Sequence, residues 1–405
     1  MENEIKTIHH SPGTVIMVEN SINEGYFYIL KSGSVDVQYD IPFNDKILNK
    51  LNTGDTFGLV SGLTNNPVHY TLIAEADCEV IRIPIELLGD YLQNNKEICL
   101  KIVSLYSNQL RALNNYLITK HPSHQEIEKP HLLLNTAEGY KKLNQYDIAA
   151  HCLLKYIQWA KRNQPQLNSI AHAEKLLAEI APDFKMPEYK SNTLLLQKGV
   201  VVFVENEPAD YFYFIQKGAI KISKLVNNQE FILSILREGE IFGEMAVLNK
   251  KVRNASAIVF ENVKIMRLPV ETFMDEVGDK ILTKMFETFA RRIWYAHQRV
   301  TLLEMSNPNA MLYGYIQILI SDINAKNKHH ARTQNEYIFN FSLMDLKRMI
   351  GMEEARDDSI HEFLSDENID ISNHSIRIYD KRKIDDKVAI YKSRERKKKI
   401  IDIHI

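Results

Sequence analysis

The stretch Phe242-Gly243-Glu244-Met245-Ala246-Val247-Leu248-Asn249-Lys250-Lys251-Val252-Arg253-Asn254-Ala255-Ser256 decides how this chain reads. It sets one carboxylate, one guanidinium and a glycine turn at fixed spacing. Gly243 lets the backbone turn tightly and lie close to a ligand. The N–H groups from Gly243 to Ala246 can then point at phosphate oxygens, as a helix N-terminus or an anion nest does. Arg253, nine residues after Glu244, offers a planar fork for a phosphate oxygen. Glu244 repels phosphate and instead accepts a hydrogen bond from a sugar hydroxyl. Together these groups suit a small cyclic phosphate. The competing reading is a surface turn carrying an incidental Glu and Arg.

Outward from this stretch the chain repeats itself. Tyr26-Phe27-Tyr28-Ile29 matches Tyr211-Phe212-Tyr213-Phe214, Gly33 matches Gly218, Gly54 matches Gly239, Phe57-Gly58 matches Phe242-Gly243 and Pro84 matches Pro269, every pair 185 residues apart. The two segments read as copies of one domain. In each, short β-branched and aromatic runs alternate with Gly or Asn turns, the pattern of strands in a small all-β roll. The first copy, Phe57 to Thr71, carries Leu59 opposite Glu244 and Val68 opposite Arg253. Leucine accepts no hydrogen bond and valine pairs with no phosphate. This copy therefore reads as a structural or dimerising domain, or as the holder of a different ligand on Asn65, Asn66 or His69.

Residues 242–256 resemble the phosphate-binding cassette of the cyclic-nucleotide-binding domains, FGE(L/M)A followed by R-x-A-(S/T). The resemblance implies a site formed by Gly243, Glu244, Met245, Ala246, Arg253, Asn254, Ala255 and Ser256, with Glu244 on the ribose 2′-hydroxyl and Arg253 on the cyclic phosphate of cAMP or cGMP. In that family the residue after the cassette arginine is commonly Ala or Ser for cAMP and Thr for many cGMP binders; Asn254 fits neither.

Each roll is followed by a helical segment. Leu282, Phe286, Phe289, Ile293, Ala296, Val300 and Leu303 recur at steps of four and three, a heptad seam that calls for a partner helix. Either the helix packs on its own roll or two chains pair through it. In bacterial regulators of this type it also closes over the purine, which would place Trp294, Tyr295 and His297 near the base, with Ala296 where the cAMP regulator has a hydroxyl. Between the rolls, Leu132 to Ala160 resembles one tetratricopeptide-like hairpin, with a further helix from Leu167 to Ile180. It reads as a spacer or a partner-binding groove.

Beyond the second roll an apolar-periodic helix, Ala310 to Ile323, is followed by the polar loop KNKHHART and a strand, Tyr337 to Phe341. Ser342 and Asp345 form a capping-box pattern, Gly351 ends that helix, a second helix is expected from about Glu354 to Ser365, and IDISNHSIRIYD reads as a two-stranded wing. The order resembles the winged helix-turn-helix of the CRP/FNR transcription regulators. Candidate DNA contacts are Lys347, Arg348, Arg356, Ser359 and His361. Glu353, Glu354, Asp357 and Asp358 oppose phosphate binding on the same face. Lys381 to Lys383 and Arg394 to Lys399 form a basic cluster that either holds phosphates or is a solvated tail.

Composition bounds these readings. A chain of 405 residues with 45% apolar content buries more than one core. Its charge balance, 50 basic against 52 acidic residues for a net of -2, argues against a globally basic nucleic-acid binder. Cys78, Cys99 and Cys152 are widely spaced and lack a CxxC pair, which favours reduced thiols and a cytoplasmic setting. The opening MENEIKTIHHSPG has no apolar signal-peptide core and no run of eighteen apolar residues occurs, so no membrane contact is expected. No GxxxxGK[ST], HExxH or GxSxG pattern supports an enzyme, and His9-His10, His121 with His124, and His329-His330 lack partners at zinc spacing.

The fold class expected is therefore α+β: two cyclic-nucleotide-binding β-rolls with helical segments, a tetratricopeptide-like insert and a C-terminal winged helix-turn-helix. The expected division is 1–120, a degenerate roll with its helix; 121–186, the insert; 187–305, the ligand-binding roll with its dimerisation helix; 306–390, the winged segment; and 391–405, a basic tail. Two functions fit. One is a homodimeric, cyclic-nucleotide-responsive transcription regulator that binds double-stranded DNA and needs no metal or catalytic cofactor. The other is a nucleotide-sensing protein-interaction module whose winged segment has lost DNA binding.

Overall fold

The computed structural model describes residues 4–23, 25–39, 49–119, 130–187, 189, 191–226, 228–248, 251–269, 279–303, 305–326 and 335–403. The expected contacts or loops at Asn249-Lys250, His121, His124 and His329-His330 lie outside the described residues. The chain forms two compact units, one of residues 1–112 and 122–294, the other of 113–121 and 295–405.

The first unit opens with eight short strands: β1 (Lys6–His10), β2 (Val15–Met17), β3 (Tyr26–Ser32), β4 (Ser34–Gln38), β5 (Lys50–Asn52), β6 (Thr56–Phe57), β7 (Thr71–Ala74) and β8 (Cys78–Pro84). They make two four-stranded sheets, β1-β8-β3-β6 and β2-β7-β4-β5. Alternate residues such as Leu30, Val35, Val37, Leu72 and Val80 point inward and form one core. This is the period-2 pattern that makes such runs strands. Helix α1 (Leu59–Thr64) follows β6, and α2 (Leu88–Asn94) and α3 (Lys96–Thr119) follow the last strand.

The second roll contains β9 (Thr193–Leu196), β10 (Val201–Phe203), β11 (Tyr211–Val226), β12 (Gln229–Arg237), β13 (Ile241–Phe242) and β14 (Ser256–Pro269). The strands join in one six-stranded sheet because β11 and β14 run unbroken where the first roll divides. The repeat is preserved in hydrogen-bond register. Tyr26 lies opposite Pro84 and Tyr28 opposite Phe57 in the first roll, while Tyr211 lies opposite Pro269 and Tyr213 opposite Phe242 in the second.

Between the rolls lie α4 (Leu133–Lys142), α5 (Tyr146–Asn163) and α6 (Ser169–Ile180). Asn144, at φ +57°, makes the tight turn between α4 and α5, a conformation asparagine tolerates better than most residues. The three helices share one core with the second roll: Tyr140, Ala149, Leu153 and Tyr156 pack in the same cluster as Val201, Val204 and Ile258. The insert is thus docked on the roll.

Helix α7 (Glu244–Leu248) follows β13, and the long α8 (Asp279–Leu303) follows the second roll. Leu282, Phe286, Phe289, Ile293, Ala296 and Val300 of its seam are each at most 3% exposed within a single chain. Six of the seven seam positions are therefore buried, and Leu303 is half-buried. A homodimer therefore loses the unpaired seam that argued for it.

The second unit carries α9 (Pro308–Lys326), β15 (Tyr337–Phe339), α10 (Leu343–Met349), a 3-10 turn (Asp357–Ile360) running into α11 (His361–Leu364), β16 (Ile369–Ile371), β17 (Ile376–Ile378) and α12 (Lys381–Ile403). The Ser342 hydroxyl accepts from the Asp345 N–H at 3.1 Å and the Asp345 carboxylate accepts from the Ser342 N–H at 3.0 Å, a complete capping box. Gly351, at φ +67°, ends that segment. The second helix starts later than expected. Arg356 is extended, and the Ala355 carbonyl accepts from the Lys347 ammonium at 2.8 Å, so residues 352–355 form a turn. Strands β15, β17 and β16 form a three-stranded sheet. The basic segment expected as a tail continues α12, whose Ile384, Val388 and Tyr391 are buried. Among the described residues no helix is long and apolar enough to cross a membrane.

Candidate ligand-binding site

The cassette sits where β13 ends. Gly243 adopts φ +80°, and a Cβ there would lie 2.6 Å from the Arg253 guanidinium. Glycine is required because the arginine passes directly over the turn. Glu244, Met245 and Ala246 follow in the first turn of α7, all at most 3% exposed.

Arg253 is 3% exposed. One end of its fork donates to the Gly243 carbonyl and the other to the Tyr211 carbonyl, and its plane lies 4.0 Å from the centre of the Phe203 ring. Burial lowers its pKa, against the opposing pull of Tyr213, Glu207 and Glu244. Its main chain is held as well: the Arg253 N–H donates to the Glu207 carbonyl at 2.8 Å, and the Arg253 carbonyl accepts from the Asn206 N–H at 2.7 Å.

Glu244, 1% exposed, pairs through Oε1 with Nη1 of Arg292 on α8 at 2.8 Å. Its other oxygen, Oε2, is buried with no hydrogen-bond partner among the described residues, and so is Nε of Arg253. A buried acceptor and a buried donor of opposite charge thus stand in one cassette, each costing about 1–3 kcal/mol while unsatisfied.

Of the other expected site residues, Ala255 is buried, whereas Asn254, half-buried, lines with Arg253 a crevice of about 240 Å³ between α4 and the roll. Ser256 is fully buried and faces the insert: its hydroxyl accepts from the Glu205 N–H at 3.1 Å and from the Tyr140 hydroxyl at 3.2 Å. Sequence reasoning missed Arg292, Phe203 and Tyr140.

The first roll handles the same backbone groups differently. The carbonyls of Gly58 and Tyr26, the counterparts of Gly243 and Tyr211, both accept from the amide of buried Asn23 at 2.7 Å. The Gly58 N–H donates to the Tyr70 hydroxyl at 2.9 Å. Burial pushes that phenol up to about 12, so it stays neutral. A neutral amide and a phenol occupy the cradle, and no charge is needed there. Of the residues considered for another ligand, His69 is buried against Tyr70 and Asn65 ends α1 at φ +54°.

Comparison with protein families finds the cyclic nucleotide-binding domain at residues 7–95 and again at 193–279. The two matched stretches fall on the two rolls. Among curated proteins the chain is similar to the global nitrogen regulator of Nostoc sp. PCC 7120, 23% identical over 38% of this chain and 71% of that protein. It is also similar to the CRP-like cAMP-activated global transcriptional regulator of Mycobacterium tuberculosis, 27% identical over 24% of this chain and 44% of that protein. A solved CRP/FNR-family transcriptional regulator from Thermus thermophilus aligns at 15% identity over 49% of this chain and 98% of that one, with a TM-score of 0.38.

In the second unit the five expected DNA contacts separate. Arg356, Ser359 and His361 are exposed. Lys347 is 6% exposed and donates to the Ala355 carbonyl and to Asp357, and Arg348 pairs with Glu353 at 2.8 Å. The last two stabilise the turn between the helices. Among the described residues no group of His, Cys, Asp or Glu is arranged to hold a metal.

Proposed function

We propose that this chain is a cyclic-nucleotide-responsive transcription regulator of CRP/FNR type in which the second roll binds the nucleotide and the first does not. The carrying observation is the pair of unsatisfied atoms in the second cassette. Glu244 Oε2 awaits a donor such as a ribose hydroxyl, and Arg253 Nε awaits an acceptor such as a phosphate oxygen. The first roll offers neither side chain and fills its cradle with Asn23 and Tyr70.

Arg253 must release the Gly243 and Tyr211 carbonyls to turn its fork onto a phosphate. Glu244, linked to Arg292, would pass any shift on binding to α8. The order capped helix, turn, short helix and antiparallel wing supports a winged helix-turn-helix reading of the second unit, with Arg356, Ser359 and His361 toward DNA.

Calorimetric titration with cAMP and cGMP tests the sensor: saturable binding near one site per chain, weakened by Glu244→Gln, is expected. No heat with either nucleotide overturns it. Duplex DNA binding that weakens about tenfold or more between about 50 and 200 mM salt supports the regulator.

The exposed Glu354, Asp357 and Asp358 favour a second reading, a nucleotide-sensing module that uses this face on a basic protein partner. Absence of DNA binding in both ligand states would select it.

A further inference from the structure

The helical insert is tied on two sides to the segment around the cassette arginine: to Ser256, where β14 begins just after Arg253, and to Glu207, in the turn after β10. On one side, the Tyr140 hydroxyl of α4 donates to Ser256, three residues after Arg253, and both side chains are fully buried. On the other, His151 and Lys155, one turn apart on α5, grip the two oxygens of Glu207, His151 Nε2 at 3.1 Å and Lys155 Nζ at 2.6 Å. Glu207 Oε2 also accepts from the Val204 N–H at 3.1 Å. The main chain of Asn206 and Glu207 in turn forms the two hydrogen bonds that hold the backbone of Arg253.

Two routes therefore run from the insert to the ligand arginine, one through Ser256 and the chain that follows Arg253, the other through Glu207 and the backbone hydrogen bonds of residues 206 and 207. Ridges of apolar packing alone would hold the insert in place. The Glu207 carboxylate gripped by His151 and Lys155, and the hydroxyl pair, add directional constraints where the cassette needs its position fixed. A binding group held to within a fraction of an ångström by its neighbours binds without first being ordered.

We propose that Tyr140, His151 and Lys155 are positioning residues for the nucleotide site, and that the insert is a control element through which docking strength sets nucleotide affinity. The inference rests on the second roll being the sensor and names how that site is regulated. By linkage the effect is reciprocal: nucleotide in the cassette tightens the insert on the roll by the same factor by which the insert tightens the nucleotide.

The experiment uses the full chain, with Tyr140→Phe, Lys155→Met and Lys155→Arg. Calorimetry with cAMP and cGMP is paired with hydrogen exchange over residues 146–163 and 253–257. Tyr140→Phe and Lys155→Met are expected to raise Kd at least about fivefold, the lower end of common coupling strengths, while Lys155→Arg, which keeps the charge on Glu207, restores wild-type Kd. Added nucleotide is expected to slow exchange in 146–163 of the wild type.

A Kd within twofold of wild type in both disabling variants overturns the proposal. If the wild type binds neither nucleotide, the sensor reading falls. The exchange of ligand-free protein then decides the inference separately: faster exchange at 253–257 in Tyr140→Phe and Lys155→Met upholds the positioning role, and unchanged exchange refutes it.

Discussion

Arg253 should stabilise the second roll before any ligand arrives, and Arg253→Ala measures by how much. The guanidinium satisfies two buried carbonyls, those of Gly243 and Tyr211, and stacks on Phe203. A hydrogen bond from a charged donor contributes about 1.5–3 kcal/mol, and Arg253 makes two of them to buried carbonyls. The cation–π contact adds about 0.5–2 kcal/mol. Relief of burying a cation offsets part of this, since burial already lowers the arginine's pKa. A net loss of about 3–5 kcal/mol is expected. Both tryptophans lie near this unit's cores: Trp159 packs on the cluster shared by insert and roll, and Trp294 is 9% exposed. Urea unfolding followed by their fluorescence should shift to a midpoint lower by about 2 M, taking a slope near 2 kcal/mol/M. A shift below about 0.5 M would show that the fork does not hold those carbonyls in the free protein.

Three further outcomes follow from the same geometry. Asn23→Ala should destabilise the first roll by about 1–3 kcal/mol, the cost of orphaning buried carbonyls, and leave nucleotide affinity unchanged, which denaturation and calorimetry on one sample would check. For Glu207, burial alone would raise the carboxyl pKa, but His151 and Lys155 outweigh it and hold the group down to about 2, from 4.5. Its contribution is therefore complete above about pH 4.5 and lost as pH falls towards 2, so the stability gap between wild type and Glu207→Gln should close over that range in acid titrations followed by urea melts. Because six of the seven α8 seam positions are buried within one chain, sedimentation velocity should give a monomer of 47.0 kDa at micromolar concentration, and a stable dimer would contradict this.

What the sequence revealed was local or periodic. The 185-residue repeat survives as strand register down to the pairs Tyr26 with Pro84 and Tyr211 with Pro269, because alternation and turn glycines specify pairing. The Ser342 and Asp345 capping box was legible for the same reason, since its partners lie three residues apart. What it concealed joins distant segments. Glu244 finds Arg292 at a separation of 48 residues and Tyr140 finds Ser256 at 116. No periodicity carries such contacts. Lys347 and Arg348 are a further case: a basic pair on a helix reads as a phosphate contact, while in the fold the next turn pairs with both charges.

The filled cradle of the first roll limits what single substitutions there can do. Once Asn23 holds the two carbonyls and Tyr70 takes the Gly58 N–H, reintroducing arginine at Val68 alone would bury a cation whose carbonyl partners are already engaged. Replacing Leu59 alone with glutamate would bury an anion without its counter-charge. Only several simultaneous changes lead back to a ligand pocket, and each single step is disfavoured by the cost of an unpaired buried charge. In the first roll the positions that carry charge in the second are met by an internal amide and phenol, so its cradle is closed to any single charged substitution.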